Sequence, residues 1–198
     1  MLYLKQKLSS FNQSKDIFFS LIEKFSVSIL NLLASILLIK LFGIESLGFV
    51  GSFSLITGVA LTISDGGFTQ LILKLNNLNS KDYSGIFLVN FIIALLFVFI
   101  IFLFADSFAA YYNDQSLKYW LKIYTLIIIF NSLSIVPIAI MTKIGEYKKL
   151  LKLNLIAISL SLTLFYLYYL FTEDVNYRGG MYYFILLSIL KLLFVLNE

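Results

Sequence analysis

Five polar residues recur near the start of the chain: Ser20, Lys24, Ser28, Asn31 and Ser35, at intervals of 4, 4, 3 and 4. On an α-helix this spacing puts all five on one face, and the other faces are Phe, Ile, Leu and Val. One ammonium, one amide and three hydroxyls on an apolar helix admit two chemistries. In the first, the stripe lines an aqueous cavity, with Lys24 as its cation. Alternatively, Ser and Asn tie the helix to a neighbour while Lys24 snorkels to the membrane surface. Glu23 adjoins Lys24, about 100° round the helix, and is a candidate charge partner rather than a ligand. Lys40 follows Lys24 by 16 residues, about 24 Å along the axis. Two cations at opposite ends of one helix would bind an anion in successive states without trapping it midway.

The element carrying this stripe must lie in a membrane. Of 198 residues, 60% are hydrophobic and 13% charged, against about 45–50% and about 25% in ordinary soluble domains. A mean hydropathy of +0.93 excludes a soluble globular domain and a disordered chain. Cys and His are both absent, so disulfides, thiolate or imidazole metal sites, Cys nucleophiles and His-based triads are excluded. The chain has no GxxxxGK[ST] and no GxGxxG sequence, so ATP hydrolysis is not expected. Nor does any pair of carboxylates have the spacing of a glycosidase or metal site. The expectation is a protein that is not an enzyme and needs no cofactor.

Apolar blocks lie at 25–42, 47–64, 84–104, 120–141, 150–171 and 181–197. Each reaches, or nearly reaches, the length needed to cross about 30 Å of hydrocarbon. Unbroken runs rather than alternating strands predict helices, because lipid offers no partner to a free amide. The predicted fold is all-α: a polytopic transmembrane bundle of about six spans. Lysines at 5, 7, 15, 24, 74, 81, 143, 148, 149 and 152 fall on one side, and Lys40, Lys118, Lys122 and Arg178 on the other. The lysine-rich side is therefore assigned to the cytoplasm, with both chain ends there. Lys191 falls inside the sixth block and is left out of this count. Tyr111, Tyr112, Tyr119, Trp120, Tyr166, Tyr168, Tyr169, Tyr177, Tyr182 and Tyr183 all fall at the outer interface, where amphipathic rings settle. Phe108, Tyr111 and Tyr112 share one face, so 105–119 is read either as a short helix on the outer surface or as a plain loop. The pI of about 9.1 reflects the loop lysines; no basic patch suggests nucleic-acid binding.

The second block carries its own stripe, Gly51, Ser54, Gly58, Thr62 and Asp65, read as a close-packing face. Asp65-Gly66-Gly67 ends that helix in a turn. Asn90, Asn131, Ser134 and Asn154 are read as packing hydrogen bonds, and Pro137 as a kink. No carboxylate sits at the centre of any span, which argues against a carboxylate-centred proton or sodium relay.

Four joints resemble those of polysaccharide-export flippases: Leu41-Phe42-Gly43-Ile44-Glu45-Ser46-Leu47-Gly48 after the first helix; Asp65-Gly66-Gly67-Phe68 with Lys74 after the second; Gly145-Glu146-Tyr147-Lys148-Lys149 with Asn154-Leu155-Ile156 leading into the fifth; and Tyr177-Arg178-Gly179-Gly180-Met181 before the sixth. Their order and spacing are similar to those of Wzx-type O-antigen translocases of the MOP (MATE-like) superfamily. The extra Thr172-Glu173-Asp174-Val175 in the outer loop departs from that pattern. The resemblance implies one six-helix lobe, residues 1–198, of a protein with two such lobes. It implies flipping of undecaprenyl-pyrophosphate-linked oligosaccharide to the outer leaflet of the bacterial inner membrane. It further implies membrane lipids, a second lobe and glycan polymerase or export proteins as partners. Lys24, Ser28, Asn31, Ser35 and Lys40 are the candidate substrate contacts. Two rivals stand beside it. A MATE-type cation or drug antiporter would want a buried carboxylate; a non-transporting scaffold subunit of an export complex is compatible with a lone lobe.

Overall fold

A computed structural model describes residues 2–75, 77–172 and 180–197, with side chains for 18–45, 48–75, 77–171 and 180–197. The regular structure among them is helical throughout: α1 (Leu2–Phe42), α2 (Ile44–Asp65), α3 (Phe68–Lys74), α4 (Ser80–Tyr111), α5 (Ser116–Tyr124), α6 (Leu126–Lys143), α7 (Tyr147–Thr172) and α8 (Gly180–Leu196). Five stretches are long and apolar enough to cross a bilayer: Phe18–Phe42, Gly48–Asp65, Ser80–Tyr111, Ser116–Lys143 and Tyr147–Phe171. The sixth expected span, Gly180–Leu196, is apolar but has 17 residues, about 26 Å of helix.

The joints follow from backbone chemistry. The α1–α2 hairpin turns on Gly43 alone, at φ 79° and ψ 169°, a region that is essentially closed to residues with a Cβ. Gly66 and Gly67 both adopt left-handed φ, ending α2 and starting α3. Asp65 Oδ1 accepts from the Thr69 amide and hydroxyl, satisfying a free donor at the start of α3. Asn79 and Asp82 form a reciprocal capping box on α4.

Contacts between helix ends fix the up-and-down order. Phe42 stacks on Phe165 and Tyr169, so α1 and α7 end on the same side. Trp120 and Tyr168 both meet Tyr182, bringing the start of α5, the end of α7 and the start of α8 to that side. At the opposite side the Lys143 ammonium holds the Leu75 carbonyl and the Tyr83 hydroxyl. Most of the expected aromatic belt therefore gathers at one end, while Lys74, Lys81, Lys143, Lys148 and Lys149 stand at helix termini of the other. Tyr183 is the exception. It is fully buried against Phe165 and Phe184, because α8 turns that face into the core. Tyr177 and Arg178 lie outside the described residues.

Residues 105–119 do not form a separate surface helix. The helix α4 runs on to Tyr111 because Ala105 and Ala109 stay fully buried in the core. Asp106, the charge on that extension, pairs with Lys118 of α5. The segment α5 bends into α6 at Thr125, whose hydroxyl donates to the Lys122 carbonyl. Pro137 sits inside α6 without ending it; it removes the amide that would bond the Leu133 carbonyl.

Several polar groups are bonded between helices, although the buried Tyr183 hydroxyl is not among them. Ser64 donates to Asn90 Oδ1 at 2.5 Å, and Asn90 Nδ2 donates to the Ser132 carbonyl at 3.1 Å, joining α2, α4 and α6. Asn131 donates to Ser188 at 3.2 Å, joining α6 and α8. Ser134 donates to its own helix, at the Phe130 carbonyl. Bonds of this kind in membrane bundles contribute about 0.6 kcal/mol each on average.

Candidate functional site

The apolar face of α1 settles which way its polar stripe looks. Ala34, Leu38 and Phe42 are buried against Ala157, Ile158 and Phe165 of α7 and Tyr183 and Leu187 of α8. Lys24, Ser28, Asn31 and Lys40 are exposed and Ser35 half-exposed. The stripe thus lies outside the packed lobe. It does not tie α1 to another helix: the Ser28 hydroxyl donates to the Lys24 carbonyl at 2.8 Å, and Ser35 to the Asn31 carbonyl at 2.9 Å. Both serines are satisfied on their own helix. Among the described residues neither the Lys24 ammonium nor the Asn31 amide has a side-chain partner.

Asn31 is the member of the stripe that packing within the bundle accounts for least. It sits midway along the Phe18–Phe42 span and faces outward. An unpartnered amide in hydrocarbon costs about 2–7 kcal/mol, and a lysine in a span is costly as well. The other mid-span amides, Asn90 and Asn131, are bonded across helices. Among the described amides of α1, α4 and α6, Asn31 alone has no partner within the bundle.

Glu23 does not pair with Lys24. It turns toward the interior, where its Oε1 accepts from Asn154 Nδ2 of α7 at 2.8 Å. The expected charge partnership fails because neighbouring positions on a helix point about 100° apart, one to the core and one out. Lys40 is exposed at the far end of α1, on the aromatic-belt side, as its spacing implied.

The α2 stripe is outward too, which corrects its reading as a packing face. A Cβ built at Gly51 or Gly58 meets nothing within 4 Å. Gly51, Ser54 and Thr62 are exposed, with Ser54 bonded to the Tyr124 hydroxyl at 2.9 Å. Small residues there leave room that none of the described residues fills. Among the described residues no group of His, Cys, Asp and Glu could hold a metal ion.

The comparisons meet this architecture. No curated protein and no solved structure matches the chain. A family model described as "Polysaccharide biosynthesis protein" matches residues 37–172, just over two thirds of the sequence, taking in Lys40 and Asn154 but beginning after Ser35. With that match and its apolar helical bundle, the chain belongs to the polysaccharide biosynthesis protein family, a flippase-type family of membrane proteins.

Proposed function

We propose that the chain forms one wall of a flippase carrying undecaprenyl-pyrophosphate-linked oligosaccharide from the cytoplasmic to the outer leaflet. The reading rests on one observation above all: an outward-facing, unpartnered amide and ammonium on α1, in a lobe whose other described mid-span amides are bonded. Polar groups in that position call for an aqueous path. A pyrophosphate with a polar glycan needs such a path, since burying an unpaired charge costs tens of kcal/mol in the Born limit. The lipid tail stays in the bilayer while the head group follows the stripe. Lys24 meets the anion near the inner face; Lys40, about 160° round the helix from it, stands near the outer face and reaches the anion only as it leaves the stripe. An inside-negative potential favours outward movement by about 2.3 kcal/mol per charge per 100 mV.

On this reading the protein is a multi-pass component of the bacterial inner membrane, with both ends cytoplasmic. It performs no covalent chemistry. Its second wall comes from a further lobe, and two lobes rocking about the site give alternating access.

Deleting the gene in its bacterial host provides the test. Lipid-linked oligosaccharide should accumulate on the cytoplasmic leaflet and surface glycan should be lost. Normal surface glycan, with raised sensitivity to cationic dyes, would overturn the reading in favour of an antiporter.

A further inference from the structure

Beside the exposed stripe, about 100° round α1, a half-buried carboxylate contacts the neighbouring helix. Glu23 Oε1 accepts from Asn154 Nδ2 at 2.8 Å, joining α1 to α7 across 131 positions of sequence. Lys191, half-buried on α8, has Glu23 as a charged neighbour, short of direct ion-pair distance. All three positions fall toward the lysine-rich end: Asn154 is seven residues into α7 and Lys191 is five from the end of α8. The Lys148 ammonium lies 4.5 Å from the Phe19 ring centre at the same level, a second tie between α7 and α1. Above this level the α1–α7–α8 core is apolar, built from Ala34, Leu38, Ala157, Ile158 and Leu187.

A half-buried carboxylate at a helix contact is held where a partner meets it, as the Asn154 amide does here. Its neighbour in sequence, Lys24, points out of the lobe. Rotation of α1 by about 100° would therefore undo this setting: turned one way it brings Lys24 and Ser28 toward α7, and turned the other it brings Glu23 to the outward face and carries Lys24 and Ser28 past it. We infer that Asn154 and Lys191 are positioning residues, which hold Glu23 inward and so fix the rotation of α1 that presents Lys24 and Ser28 to the path. The inference deepens the proposed function, since it uses the same stripe, but its geometry is measurable without transport.

The chain has no cysteine, so a single Ser28→Cys reads the setting of α1 through its rate of labelling by a hydrophilic thiol reagent in inside-out vesicles. Lys191→Met leaves Glu23 uncompensated, drives it outward and should slow that labelling by about tenfold, a factor worth 1.4 kcal/mol. Adding Glu23→Gln removes the stranded charge and should restore the rate to within about twofold. Asn154→Leu, with Lys191 kept, should slow labelling in the same direction, and serves if Lys191→Met fails to insert. Unchanged labelling in the single variants overturns the inference, as does a double variant no faster than Lys191→Met. If gene deletion leaves surface glycan normal while these rates behave as described, the transport reading fails and the positioning stands.

Discussion

Lys24→Glu is expected to abolish surface-glycan export at normal protein levels. The site passes an anion, so the sign of the charge at position 24 matters more than its shape. A unit charge pair at 4 Å is worth about 1 kcal/mol in water and about 4 kcal/mol at an effective dielectric of 20. A wetted groove lies between these limits. Lys24→Ala forfeits that attraction and should lose most export, about fivefold at the lower limit and more above it. Lys24→Glu replaces attraction by repulsion and should leave almost none. Lys24→Arg keeps the charge and should retain export. Surface glycan measured in a strain lacking its own flippase, with immunoblots for protein level, distinguishes these cases. Normal glycan from Lys24→Glu would reject a substrate role and leave a lysine that merely snorkels.

The second large effect concerns the proposed second wall. Residues 1–198 alone, purified and reconstituted, should insert but show no flipping of lipid-linked oligosaccharide. The stripe on α1 and the open glycine face of α2 are both exposed in this lobe. A pyrophosphate resting on them would meet polar groups on one side and hydrocarbon on the other. Half of a polar path leaves most of the desolvation penalty in place. Transport that rises with the square of protein density in the liposomes would show instead that a second copy supplies the wall.

How much of this was legible in the sequence depends on which question is asked. Periodicity placed Ser28, Asn31 and Ser35 on one face, and that face is continuous in the structure. Glycine chemistry marked the Gly43, Gly66–Gly67 and Gly145 joints, where positive φ favours it. The lysine bias marked one end of the bundle, since charges collect where helices stop. What a one-dimensional pattern does not hold is the direction in which a face looks. The stripes of α1 and α2 have similar periodicity to a packing face, and exposure alone separated them from one. Glu23 was read beside Lys24 because the two adjoin in sequence; its partner is 131 positions away. Tyr183 sits among interfacial tyrosines in sequence and inside the core in space, a matter of one residue's turn from the exposed Tyr182. The helix α4 outran its expected end because the buried Ala105 and Ala109 continue the packing face beneath Asp106.

The central claim is that the α1 stripe borders a water-filled path entered by the substrate, and substrate-protected cysteine labelling tests it most directly. Single cysteines at Ser28, Asn31 and Ser35 are compared with single cysteines at Ile29, Leu32 and Ile36, which are exposed but apolar. The comparison uses the assembled protein in inside-out vesicles, a hydrophilic thiol reagent, and undecaprenyl-pyrophosphate added or withheld. The account predicts that the three stripe positions react, that the lipid-facing three do not, and that the added lipid pyrophosphate slows the stripe reactions alone. Equal reactivity on both faces, or stripe reactions indifferent to the lipid pyrophosphate, would contradict it.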